Sequence, residues 1–120
     1  MARKNFVLDT LLEKGEVSWK PVGNSMTPKV DSGDQVTVKK VSLAALRVGD
    51  IVYAKVRGTC YLHLLSAIDN ERYQISNNHG HVNGWTSADK VFGVCVKVKD
   101  KIILSDEEIQ KRLVNTNTYR

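Results

Sequence analysis

The chain opens with one hydrophobic rhythm and soon changes to another. Between Asn5 and Lys14, the residues Phe6, Leu8, Leu11 and Leu12 recur at helical spacing around Asp9 and Glu13. Gly15 follows as a stop, so the pattern predicts a short amphipathic helix. One such helix is too little for a helix-turn-helix module, which needs two. From Val17 onward the spacing becomes two, which sends alternate side chains to opposite faces of a strand. Val36 and Val38 alternate with Thr37 and Lys39, and the run Ile51 to Val56 alternates likewise. Cys60 to Ile68, Tyr73 to Ser76, Val91 to Val98 and Ile102 to Leu104 read as further strands. Turns fall at Arg57-Gly58-Thr59, Asp69-Asn70-Glu71 and Lys99-Asp100. Ser105-Asp106-Glu107-Glu108 is a capping box ahead of Ile109, Leu113 and Val114, predicting a short closing helix and a fraying tail from Asn115 to Arg120.

The expected architecture is therefore mainly β with short N- and C-terminal helices. Its 120 residues suit one domain: a helix over 1–15, a β core over 17–104, and a helix and tail over 105–120. Gly33-Asp34-Gln35-Val36 and Gly49-Asp50-Ile51-Val52 repeat one device, a Gly-Asp turn that launches a β-branched strand, with Asp bonding its own backbone.

Composition narrows the class. With 42% hydrophobic and 26% charged residues, the chain is neither disordered nor built for a bilayer. Its longest apolar stretch, Tyr61 to Ile68, is broken by His63 and Ser66. Arg3 and Lys4 are followed by Asp9, Glu13 and Lys14 rather than by a secretory apolar segment, so a cytoplasmic protein without membrane contact is expected. Cys60 and Cys95 then read as reduced thiols. The net charge of +5 permits an acidic protein or nucleic acid as partner, but the eighteen basic residues are scattered rather than massed.

The stretch richest in chemistry is Gly23-Asn24-Ser25-Met26-Thr27-Pro28. A Gly before a small hydroxyl residue lets the chain turn sharply, and Pro28 stiffens the exit. Such a turn presents either a nucleophile or an ordinary hydrogen-bonding serine. The stretch resembles the Gly-x-Ser-Met-x-Pro signature of the superfamily of bacterial signal peptidases, LexA-type repressors and UmuD-like proteins. Ser32 to Val38 and Val48 to Val52 are similar to that superfamily's two Gly-Asp strand starts, in the same order. The likeness covers Val22 to Val56 and extends more thinly to Val98. It implies a LexA/signal-peptidase-like β fold, a serine peptidase chemistry without metal or cofactor, and Ser25 as nucleophile.

In that superfamily a Lys, or in some signal peptidases a His, takes the serine proton. The resemblance puts His63 at this position, followed by Leu64 where the superfamily carries Arg. A serine hydroxyl needs such a base, and an imidazole with its ordinary pKa near 6.5 serves at neutral pH. The superfamily's Gly-Asp-Asn turn, whose Asp supports the base, corresponds to Ile75 to Trp85, and the Asp is missing. Asn77, Asn78 and Asp89 are the candidates for orienting the imidazole, although an Asn cannot stabilise an imidazolium by charge.

The same segment carries His79, His81, Asn83 and Trp85, a composition suited to a partner-binding loop or to a structured turn with Trp85 packed on the core. It also resembles small phage-encoded relatives of the superfamily. Cys60, His63, His79 and His81 raise the question of zinc, but a regular strand sends Cys60 and His63 to opposite faces, so no metal site is expected. Two readings stay open at the level of sequence. One is a peptidase using a Ser25–His63 dyad on an extended peptide or protein segment. The other is a peptidase-fold protein without activity, phage-encoded as the resemblance implies, that binds a host protein or nucleic acid. The oligomeric state is not legible.

Overall fold

The computed structural model describes residues 5–118, with side chains described to residue 114. Helix α1 (Phe6–Lys14) begins where the Asn5 side chain accepts from the Leu8 amide, and it ends on Gly15, as its sequence predicts. Its buried stripe is narrower than the spacing suggests. Leu11 is fully buried, Val7 and Leu8 pack at the margin, and Phe6 and Leu12 face solvent.

Eight strands follow: β1 (Glu16–Trp19), β2 (Val36–Lys39), β3 (Ile51–Val56), β4 (Thr59–Asp69), β5 (Arg72–Ser76), β6 (Val82–Ser87), β7 (Val91–Val98) and β8 (Lys101–Ile102). All their pairings are antiparallel, in the order β1-β2-β7-β3-β4-β5-β6, with β8 beside β7. Helix α2 (Asp106–Thr118) closes the described chain and runs into the segment expected to fray; residues 119 and 120 lie outside the described residues. The fold is mainly β with helices at both ends, and no helix among the described residues is long and apolar enough to cross a membrane.

Two differences from the sequence expectation matter. The strand predicted over Ile102 to Leu104 shrinks to a two-residue pairing with β7, because the chain turns there toward α2 and Leu104 enters the core. The second half of the segment Asn77 to Trp85, read as loop, belongs to a strand of six residues, Val82–Ser87, paired with β5.

Side-chain alternation divides the core in two. One cluster gathers Leu65, Ile75, Val52, Ala54, Val94 and Ile109, joining α2 to one face of the sheet. The other holds Leu11, Val36, Val38, Ile51, Tyr53 and Cys95, joining α1 to the other face. Met26 and Val30, at 3% and 4% exposure, drive the loop between β1 and β2 into this second cluster. The repeated Gly-Asp turns behave as their sequence implies, since Asp34 accepts from the Asp31 amide and Asp50 from the Arg47 amide, both at 2.9 Å. Asp50 also pairs with Arg112 at 2.8 Å, so the turn before β3 doubles as the anchor for α2.

The sheet curls enough to bring β6 back to the end of β3. Thr86 Oγ1 donates to the Lys55 carbonyl at 2.7 Å, and Gly84 passes so close to Val56 that a Cβ would sit 3.2 Å from Val56 Cγ1. Gly84 has φ +140, where L side chains are strained, so the approach depends on glycine.

Candidate active site

The loop from Asn24 to Val30 is held as a tight turn by the Val30 amide donating to the Met26 carbonyl at 3.0 Å. Its apolar members Met26 and Val30 are buried, whereas Ser25 stays exposed. The Thr27–Pro28 peptide is cis. On β4, His63 lies on the same face as Leu65 by the alternation of the strand, and it is only 7% exposed.

These two segments meet. Ser25 Oγ lies 3.0 Å from His63 Nε2, and His63 Nδ1 lies 2.7 Å from Asn83 Oδ1. With the Asn83 oxygen accepting from Nδ1–H, the lone pair of the ring is left on Nε2, where it accepts from the Ser25 hydroxyl. The Asn83 contact therefore selects the tautomer that a general base requires.

The residue that hydrogen-bonds His63 Nδ1 is Asn83 on β6, which the sequence placed in a partner-binding loop, while the candidates Asn77, Asn78 and Asp89 bond elsewhere. Asn77 instead accepts from the His79 and His81 amides at 2.8 and 2.9 Å, tightening the β5–β6 turn. Asn78 ties that turn to the serine loop, its amide donating to the Ser25 carbonyl at 2.8 Å and its Nδ2 to the Thr27 carbonyl at 2.9 Å. Asp89 accepts from Ser87 beyond the end of β6 and does not reach His63.

The other residues of the expected loop separate as well. His79 Nε2 donates to the Asn24 carbonyl at 2.9 Å and contacts Thr27 Oγ1 at 3.1 Å, a second clamp on the serine loop. His81 bears on His63 through charge. Trp85 is 38% exposed, with the Arg72 guanidinium 5.6 Å from its ring centroid, and so is neither a core residue nor a free one. Cys60 and Cys95 are free thiols. No group of three or more His, Cys, Asp or Glu side chains converges among the described residues.

Electrostatics fit a neutral imidazole. Burial holds the His63 pKa below its ordinary 6.5, the hydrogen bond to Asn83 works in the opposite direction, and His81 reinforces burial. The thiol of Cys95 is pushed up to about 11 by burial, so it stays protonated and inert.

Beside Ser25 and His63 lies an open groove of about 610 Å3, walled by Trp19, Val22, Met26, Tyr53, Tyr61 and Leu62. A larger hollow of about 960 Å3, bounded among others by Pro28, Asp34, Cys95 and Lys99, reaches neither Ser25 nor His63. The smaller groove has a further property. Along residues 59–64, β4 pairs with β3, whereas β5 takes up its other side only from Leu64 onward. From Thr59 to His63 that second side has no strand partner among the described residues, and it borders the groove.

Residues 9–96 match the family described as Peptidase S24-like. No curated protein matches the chain significantly.

Proposed function

The chain belongs to the Peptidase S24-like family, and from that premise we propose that it is a serine peptidase in which Ser25 is the nucleophile, His63 the general base and Asn83 the residue that orients the base. The 3.0 Å contact between Ser25 Oγ and His63 Nε2 carries this reading, since a hydroxyl within hydrogen-bond reach of a neutral imidazole is what activation of serine requires.

In the proposed reaction, the Ser25 proton passes to His63 Nε2 as Oγ bonds to the scissile carbonyl carbon and the carbonyl π pair moves onto oxygen. The Ser25 backbone amide serves as a donor to that oxyanion. Collapse of the intermediate breaks the C–N bond, and His63 returns its proton to the leaving amine. Water, deprotonated by the same imidazole, then releases the acyl group. The substrate is an extended peptide segment that lies along the unpaired side of β4 and places side chains in the apolar groove.

Incubation of the protein with a fluorophosphonate tests this directly. One covalent adduct on Ser25 in the intact mass is expected, absent from Ser25→Ala. A wild-type protein that stays unmodified while folded excludes the peptidase reading and favours a binding role for the groove.

The pH dependence has a fixed sign. Because His63 titrates below 6.5, the neutral base persists as pH falls through 6.5, and the labelling rate declines only with a midpoint lower than that value. The same lowered pKa acts on stability. As pH falls below 6.5, the unfolded chain takes up the His63 proton more readily than the folded one. Stability contributed by the neutral ring is therefore full above 6.5, declines down to the folded pKa and levels off beneath it. A labelling midpoint above 6.5 assigns the limiting titration to another group.

A further inference from the structure

Two residues before His63 on the same face of β4, the Tyr61 ring lies stacked on the imidazole, with centroids 4.8 Å apart and planes inclined at 27°. Tyr61 is itself fixed, since it packs against the α2-side core and pairs with Ala54 in the β3–β4 ladder. Neither hydrogen-bond partner of His63 carries a charge: Ser25 is a hydroxyl and Asn83 an amide. Proton transfer from Ser25 nonetheless creates an imidazolium at a site only 7% exposed. An aromatic face is negative and attracts a cation held within about 6 Å of its centroid.

We propose that Tyr61 is a positioning residue whose ring holds the His63 imidazole in line with Ser25 and Asn83, and whose π face favours the imidazolium in place of a carboxylate. The catalytic consequence rests on the peptidase reading, whereas the stack and its effect on His63 do not. Around His63, β3 presents Val52 across the ladder, β6 presents Asn83, the serine loop presents Ser25 and the β5–β6 turn contributes His81. Of these only His81 bears on His63 through charge, and it opposes protonation of the imidazole, so the attraction must come from the ring.

Tyr61→Leu keeps an apolar side chain and removes the π face, while Tyr61→Phe keeps both. In an NMR titration of the imidazole resonances, the leucine variant is expected to lower the His63 pKa by about 0.4 to 1.5, and the phenylalanine variant to match the wild type. The fluorophosphonate labelling rate is expected to fall about 3- to 30-fold in Tyr61→Leu and to recover in Tyr61→Phe. A His63 pKa in Tyr61→Leu equal to or above that of the wild type overturns the proposal, as does a phenylalanine variant that behaves like leucine. The wild type offers an independent check should the variants fail to fold, because a ring stacked at this distance shifts the His63 ring protons upfield, and their absence from that region overturns the stack itself. Failure of the wild type to react with the probe counts against the peptidase reading alone, and the titration still decides the role of Tyr61.

Discussion

Replacing His63 with alanine is expected to slow fluorophosphonate labelling of Ser25 by roughly three to six orders of magnitude, the range over which serine hydrolases lose activity when the base is removed. The expectation follows from the absence of a substitute. Asn83, the other member of the hydrogen-bonded chain, has no basic atom, and His79 is already engaged by the Asn24 carbonyl and Thr27 Oγ1. His63 is buried in its strand rather than mobile on a loop, so its removal leaves a hollow instead of inviting another side chain to take its place. Time courses of intact mass at saturating probe measure the effect, with circular dichroism and a urea midpoint showing that the variant folds. A folded His63→Ala protein that labels within tenfold of the wild type would show that Ser25 is activated by some other group.

The largest effect on stability is expected at Gly93, in the middle of β7. A Cβ there would lie 2.7 Å from the Lys39 carbonyl oxygen, 2.8 Å from Val38 Cγ1 and 3.2 Å from Leu11 Cδ2. Real Cβ atoms do not approach a backbone oxygen so closely, and Lys39 cannot withdraw without opening the β2–β7 ladder beside its pairing with Val94. Strand β1 hangs on β2, and α1 packs against β1 and β7, so the strain is transmitted to the α1 side of the sheet. Gly93→Ala should cost about 3 kcal/mol, at the upper end of the usual penalty for overpacking. Urea denaturation compares the two proteins, and a loss below about 0.5 kcal/mol would mean that the β2–β7 seam yields easily.

Ser25 and His63 are legible in the sequence for a physical reason: the surroundings of each are defined locally. A glycine, a small hydroxyl residue and a proline within six positions specify a turn, and the buried pair Met26 and Val30 completes it. His63 sits in a strand whose alternation is clear, so its face and neighbours follow from counting by twos. Asn83 reads as loop because Val82-Asn83-Gly84-Trp85-Thr86-Ser87 has no apolar alternation and includes residues that disfavour strands. Its extended form is imposed from outside, by pairing with β5 and by the Thr86 bond to β3. One signal does point there: a turn rich in Asn and Gly directly after the strand Tyr73 to Ser76 calls for a returning strand. The second Gly-Asp turn shows the same limit, since Asp50 reads correctly as turn chemistry while its ion pair with Arg112 spans 62 residues of sequence and leaves no local trace.

The curl that returns β6 to β3 has a consequence for how Ser25, His63 and Asn83 are assembled. His63 and Asn83 are 20 residues apart and are joined by successive hairpins, whereas Ser25 precedes His63 by 38 residues and arrives on a loop anchored to the opposite side of the sheet. Contacts that close long stretches of chain form late, after local hairpins have paid their entropy. The Ser25–His63 contact is therefore the costlier of the two to close, by about 0.6 kcal/mol for a doubling of separation. Completing the hydrogen-bonded chain Ser25–His63–Asn83 thus needs both sides of the sheet to be joined: His63 and Asn83 meet within one side, and Ser25 is delivered from the other.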